Sequence, residues 1–166
     1  YAKSSEAYHL KLAENLFQNG YYDDSRTQYE SFSNVYSQSA SVPQARLRVA
    51  ICHLKEYQGG GYEITPLLDA RRTVDDFLAK YKTDVLLPDA QKLSLEIIEL
   101  MAERDYDTAC FYHKTNKPKS ARIYFQRVID NYPQTGWAQK AQERISALPP
   151  IEEKQPESAP AAPPSA

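Results

Sequence analysis

Apolar side chains recur every three or four residues along most of the chain, in long segments that contain neither proline nor glycine. In the first segment, Leu10, Ala13 and Phe17 follow helical spacing, and β-strand alternation is hard to find. Prolines and glycines fall between the segments, where helices begin and end. The pattern therefore predicts an all-α chain of about seven helices. Their approximate bounds are 4–19, 24–36, 43–57, 66–81, 88–115, 118–131 and 135–147.

The fifth predicted helix is about twice as long as its neighbours, because no helix breaker falls between Pro88 and Asn116. The glycine run 59–61 instead predicts a flexible loop between the third and fourth helices. The Pro/Ala-rich segment 149–166 carries one large apolar residue, Ile151. It is predicted to be disordered, because it cannot bury enough apolar surface to offset the entropy of ordering it.

An internal repeat is the strongest signal in the chain. Ala13 and Tyr36 recur 96 residues later as Ala109 and Tyr132. The repeat places small residues of one helix opposite aromatic residues of the next, so that two antiparallel helices can approach closely. Neither pair covers its apolar face alone, so neighbouring pairs are predicted to stack into a superhelix. The predicted structural positions are Ala13, Tyr29, Tyr36, Ala70, Tyr81, Ala109, Tyr112, Ala121, Phe125, Tyr132 and Pro133.

Two resemblances follow from these residues. The unit Ala109-x2-Tyr112-x8-Ala121-x3-Phe125-x2-Val128-x4-Pro133 resembles a tetratricopeptide repeat. Over about residues 5–148, the chain is similar to the BamD/YfiO family of outer-membrane assembly lipoproteins. The similarity rests on an insertion at 58–65 between the two helices of one repeat, and on the double-length helix. It also rests on the segments Met101–Asp107, Phe111–Lys114 and Val128–Thr135. The predicted domain, 1–148, comprises repeats at about 4–37, 43–82 and 88–133 and an extra helix at 135–147.

The second resemblance implies a non-catalytic periplasmic scaffold of the machinery that assembles outer-membrane β-barrel proteins. The partners it implies are the barrel-assembly subunit, accessory lipoproteins and unfolded outer-membrane protein segments. It also implies a location on the periplasmic side of the outer membrane, through a lipid anchor expected upstream of this chain. Two alternatives stay open: a periplasmic repeat protein that coordinates cell-wall growth with envelope constriction, and a cytosolic protein–protein adaptor.

Composition narrows the remaining function classes. The chain has 20 Lys and Arg against 22 Asp and Glu, so it lacks the positive charge that phosphate neutralisation requires, and no nucleic acid is predicted as a partner. No apolar run is long enough to span a bilayer. Cys52 and Cys110 are too few for a disulfide framework, and with the histidines they do not match zinc-site spacing. No enzyme activity and no cofactor are therefore predicted.

The candidate binding residues form two sets. Basic residues gather around the turn and second helix of the third repeat, where they could meet an acidic partner surface. The resemblance makes this patch the first choice for docking the barrel-assembly subunit. The first helix of each pair is expected to line an apolar concave groove suited to extended peptides. The partner-binding candidates are Lys114, Lys117, Lys119, Arg122, Arg127, Tyr106 and His113, and the groove candidates are Leu10, Glu14, Phe17, Leu47, Ile51 and Leu54.

Overall fold

A computed structural model describes residues 2–150 of the chain. Over this range the protein has seven helices and no strand, which confirms the predicted fold class. The predicted disordered tail lies outside the described residues, apart from Pro149 and Pro150. The helices are α1 (Ala2–Gln18), α2 (Tyr22–Val35), α3 (Val42–Glu56), α4 (Thr65–Lys80), α5 (Leu87–Lys114), α6 (Pro118–Asn131) and α7 (Gly136–Ala147).

The helix bounds follow from local sequence rules. Proline stands in the first turn of each helix from α3 to α6, where its missing N–H is not needed. The double-length helix is confirmed, since α5 has 28 residues. The residue types Asp23 and Asp24 at the start of the second predicted helix make either one the expected N-cap of α2, and this expectation is wrong. The N-cap is Tyr21, and both carboxylates lie in the first turn, where they favour the helix dipole.

Helices pack mainly on their neighbours in sequence, and α5 also contacts α3 and α7. This nearest-neighbour pattern is typical of stacked helical hairpins. The buried side chains form three clusters, one within α1–α3, one within α3–α5 and one within α5–α7. Because α3 and α5 each contribute to two clusters, they join the hairpins into one stack. The division into three repeats stays a prediction.

The small and aromatic repeat residues meet where α5 crosses α6. Ala109, Ala121 and Phe125 are buried together in the third cluster, and Tyr112 packs against its edge. The ring of Tyr112 stacks on Tyr124, with centroids 5.3 Å apart. Among the other predicted structural positions, Ala13, Tyr29 and Ala70 are buried, Tyr36, Tyr81 and Tyr132 are partly buried, and Pro133 is exposed.

The first repeat carries a serine where the third has Ala121. The Ser25 hydroxyl is buried and donates a hydrogen bond to the carbonyl oxygen of Ala13 at 2.8 Å. Since a buried hydroxyl is costly only when it lacks a partner, the close contact of α1 and α2 tolerates this polar residue.

Candidate functional site

A cleft of about 630 Å³ lies between α3 and the first half of α5. Its apolar walls include Ile51 and Leu54 of α3 and Leu93 and Leu100 of α5. The connection between α3 and α4 contributes Tyr57, at the C-terminal end of α3. An apolar cleft with polar groups around it suits an apolar side chain of an otherwise polar ligand. The other lining residues are Lys55, Gln58, Gly59, Asp89, Lys92 and Glu96.

The cleft exists because α3 and α5 present one face each. Residues 89, 93, 96 and 100 of α5 are three or four positions apart and so share a face. The α3–α4 connection turns through Gly59 and Gly60, whose φ angles are +82° and +53°. A Cβ at either glycine would meet no atom within 4 Å, so the backbone conformation alone favours glycine there.

Two groove candidates on α1 are tied to α3 by one arginine. The Arg48 guanidinium lies 3.1 Å from Glu14 Oε2 and 5.0 Å from the centroid of the Phe17 ring. The Tyr29 hydroxyl donates a hydrogen bond to the same carboxylate at 2.8 Å. Desolvation acts to raise the pKa of Glu14, but the hydrogen bonds from Gln18 and Tyr29 and the charge of Arg48 hold it below its ordinary value.

Two other groove candidates, Leu10 and Leu47, pack into the protein. Leu10 is partly buried against the first cluster. Leu47 is 7% exposed and belongs to the second cluster. Of the six groove candidates, the structure therefore brings Ile51 and Leu54 to the cleft.

Tyr106 joins three helices. Its ring lies 5.4 Å from that of Phe125 and 5.2 Å from that of Trp137, and its hydroxyl accepts a hydrogen bond from Arg144 Nε at 3.4 Å. The side chain is therefore engaged in packing α5 against α6 and α7. His113 lies exposed near the C-terminal end of α5.

Three of the predicted basic residues are exposed around the turn between α5 and α6: Lys114, Lys117 and Lys119. Arg122 follows on α6, where its guanidinium donates a hydrogen bond to the carbonyl oxygen of Pro149 at 2.9 Å. The turn and the first part of α6 therefore bring these four cations to one end of the hairpin.

Arg127 is separate from that cluster. It lies eight residues beyond Lys119 on α6, which is about 12 Å along the helix axis. Its guanidinium is 3.5 Å from Asp105 Oδ2 and lies over the Tyr124 ring at 5.1 Å from the centroid. Arg127 thus contacts other residues of the protein. At the turn, Lys114 and Lys119 are exposed, and Lys117 is exposed with its Nζ 6.0 Å from the centroid of the Tyr112 ring.

The cysteines give no sign of a reactive centre. Cys52 is fully buried beside Ser25, and desolvation raises the pKa of its thiol to about 11. Cys110 is partly buried. Within residues 2–150, no group of three or more His, Cys, Asp and Glu side chains is arranged to hold a metal ion. None of the helices in that range is both long enough and apolar enough to cross a membrane.

Two residues that complete the cleft were not predicted from the sequence. Leu93 and Leu100 were not among the candidates, although they form its walls with Ile51, Leu54 and Tyr57. The apolar spacing of α5 indicates one contacting face, but it does not indicate which helix or loop lies opposite. Only the fold shows that α3 and its following loop do so.

Comparison with known proteins points to one family. The family described as "YfiO: Outer membrane lipoprotein" matches residues 2–148. Among curated proteins, none matches the chain.

Proposed function

Because the chain belongs to the YfiO family of outer membrane lipoproteins, we propose that it is a non-catalytic scaffold in the assembly of outer-membrane β-barrel proteins. In this function the cleft binds unfolded segments of those proteins. A separate surface docks the barrel-assembly subunit, and accessory lipoproteins bind the same scaffold. The family description supports a location at the outer membrane, which disfavours the cytosolic adaptor, and the proposed function places the chain on the periplasmic side of that membrane.

The cleft is the observation that carries the proposal. Strands of outer-membrane barrels alternate apolar and polar residues, and an extended chain places every second side chain on one side. Apolar side chains of such a segment fit against Leu54, Leu93 and Leu100. The intervening polar side chains reach Lys92 and Glu96 at the edge of the cleft. The site thus favours an extended amphipathic segment over a wholly polar or wholly apolar one.

The lysines at the α5–α6 turn suit the docking of the barrel-assembly subunit. Lys114, Lys117 and Lys119 are exposed within a few residues of one another, so an acidic surface of the barrel-assembly subunit can meet all three. Exposed charges of this kind raise the association rate and orient the partners more than they add to affinity. We therefore expect docking at this turn to weaken as the salt concentration rises.

A binding experiment tests the cleft. A fluorescently labelled peptide with alternating aromatic and polar residues is titrated with the protein, and anisotropy is measured. Leu54→Asp should weaken binding about tenfold or more, because it removes an apolar contact and places a charge in the cleft. Leu68→Asp is the matched control, since Leu68 is 45% exposed on α4 and lies outside the cleft. Circular dichroism establishes that both variants remain folded.

Two results would contradict the proposal. One is a wild-type protein that does not bind the peptide, and the other is an equal loss of binding in Leu54→Asp and Leu68→Asp. Capture from bacterial membranes with a tagged chain tests the docking step. Absence of the barrel-assembly subunit from the captured material would rule out that step, whatever the peptide result.

A further inference from the structure

A second groove runs between α2 and α4, with α3 as its floor. Each helix contributes one face to it, through residues 26, 30 and 33 of α2, residues 46, 49, 53 and 56 of α3, and residues 69, 73, 76 and 80 of α4. Two cavities follow these faces, with volumes of about 540 and 390 Å³. By helical periodicity, the α3 residues of this groove lie opposite Ile51, Leu54 and Lys55 of the cleft. The groove is therefore a surface distinct from the proposed peptide cleft.

Polar atoms without partners concentrate in this groove. Of the five buried side-chain polar atoms that lack a hydrogen bond within residues 2–150, three belong to it: Arg26 Nε, Arg46 Nε and Glu56 Oε1. Arg26 Nε and Glu56 Oε1 lie 3.7 Å apart, which is too far for a hydrogen bond. Buried donors and acceptors are almost always satisfied in folded proteins. The chain itself thus leaves these three atoms without a hydrogen bond, and a partner reaches them only if the buried side chains turn toward the groove.

The two ends of the groove carry opposite free charge. At one end Arg46 and Lys80 line the larger cavity, and across residues 2–150 neither has a carboxylate within 4.0 Å. Glu30 and Asp76 line the same cavity and oppose them in charge, and Glu30 is paired with Arg26. At the other end Glu56, Glu63 and Asp69 line the smaller cavity. Arg26 and His53 lie within 4.0 Å of Glu56, and Arg72 pairs with Asp69, so Glu63 is the carboxylate of this cavity without an ion pair among residues 2–150. Arg46 and Glu56 are ten residues apart on α3, which places the two ends about 15 Å apart.

We propose that this groove binds an extended segment of a partner protein that carries one acidic and one basic side chain about 15 Å apart. The acidic side chain pairs with Arg46 and Lys80, and the basic one pairs with Glu63, which lies beside Glu56 in the smaller cavity. In an extended chain, about 15 Å corresponds to four or five residues at roughly 3.3 Å each. An extended segment also brings unpaired backbone N–H and C=O groups to the polar groove, whereas a helix has already bonded its own.

Peptide titration of the isotopically labelled full chain tests this proposal by nuclear magnetic resonance. The probes are acetylated, amidated peptides in which Asp and Lys are separated by three or four Ser and Thr residues. The matched peptide has the same composition with Asp and Lys adjacent, so it cannot reach both ends at once. We expect amide shifts along α2, α3 and α4 and binding of the spaced peptide about fivefold tighter than that of the matched one.

Substitutions at the exposed charges locate the site. Lys80→Gln and Glu63→Gln should each weaken binding about two- to fivefold, and Asp76→Asn should strengthen it, because Asp76 repels the acidic side chain. Lys11→Gln is the control and should leave binding unchanged, because Lys11 is exposed on α1 and lines neither this groove nor the cleft. Equal affinity for the two peptides, no response to Lys80→Gln, or the same loss in Lys11→Gln would overturn the proposal. None of these results bears on the cleft, which the anisotropy experiment tests separately.

Discussion

Asp105 is a buried carboxylate whose charge is only partly stabilised by contacts within the protein. Its side chain is 8% exposed, and its Oδ2 atom has no hydrogen bond, although Arg127 lies 3.5 Å away. Burial raises the pKa of Asp105, and the charges of Arg127 and Arg104 offset this rise only in part. Because the folded pKa lies above the unfolded value, the folded state binds the proton more tightly. Stability therefore falls as the pH rises from the unfolded pKa through the folded one.

Replacing this charge should stabilise the protein at neutral pH. We expect Asp105→Asn to raise the free energy of unfolding by about 1 kcal/mol at pH 7, because removing a poorly paired buried charge outweighs losing a half-exposed ion pair. The gain should shrink on acidification and vanish below the ordinary pKa of 3.8, where the wild-type carboxyl is protonated in both states. Urea unfolding at several pH values measures this difference.

Asp107→Asn is the control for that prediction, since Asp107 is exposed on the same helix. It should change stability little at any pH. A loss of stability in Asp105→Asn at pH 7 would show instead that the contact with Arg127 is a net stabilising interaction.

Helices α1 and α5 end in the same way, 96 residues apart. After α1, Gly20 has a φ of +81°, and Tyr21 N–H donates to the carbonyl of Leu16. After α5, Asn116 has a φ of +58°, and Lys117 N–H donates to the carbonyl of Tyr112. Both are Schellman-type ends, in which a left-handed residue lets the chain reverse into the next helix. The internal repeat thus extends to backbone conformation, with Asn in one copy where the other has Gly.

This equivalence predicts the cost of changing either residue. Gly20→Ala should lower the free energy of unfolding by about 1 kcal/mol, because a left-handed conformation is unfavourable for a residue with a Cβ. Gly20→Asn should cost less, as Asn adopts this conformation in the equivalent turn. Gly61→Ala is the control, since a Cβ there meets no atom within 4 Å and its φ is not positive. Equal costs at Gly20 and Gly61, measured by thermal unfolding, would contradict this account.

At the scale of the whole molecule, α5 is one continuous helix that joins two of the three buried clusters. Its first half contributes Ala90, Leu93 and Ile97 to the second cluster, and its second half contributes Ala102 and Ala109 to the third. In a stack with nearest-neighbour contacts, cooperativity between units depends on the interfaces that join them. The helix backbone between Ile97 and Ala102 therefore provides the main connection between the second and third clusters.

A proline between Ile97 and Ala102 should make the second and third clusters unfold in separate transitions. Glu99 is exposed in the middle of α5, so Glu99→Pro removes a backbone hydrogen bond at a cost of about 3 kcal/mol without removing a core side chain. Trp137 is the only tryptophan and packs against the third cluster, so its fluorescence reports the C-terminal half. We expect the fluorescence and circular dichroism transitions in urea to coincide in the wild type and to separate in Glu99→Pro.

Glu99→Ala is the control for the proline variant, and it should keep the two transitions together because alanine continues the helix. Coincident transitions in Glu99→Pro would show that contacts outside α5 carry the cooperativity.

At the scale of single elements, the sequence was nearly sufficient to predict where each helix begins and ends. Proline and glycine positions and helical spacing are local properties, and every helix bound predicted from them lies within two residues of the observed one. The expected cap of α2 was wrong because the preceding turn determines which residue becomes the N-cap. That turn is built by the Schellman bonds around Gly20, which place Tyr21 at the cap.

Helical spacing by itself determined the all-α fold, the long α5 and which face of each helix is apolar, because these depend on neighbours within about one turn. Only the tertiary structure decided which apolar faces stay open. Leu47 and Ile51 belong to one apolar face by spacing, yet packing between helices buries Leu47 and leaves Ile51 at the cleft. The opposite wall comes from Leu93 and Leu100, about forty residues away. A contact over that distance depends on how whole helices stack, which no local pattern specifies.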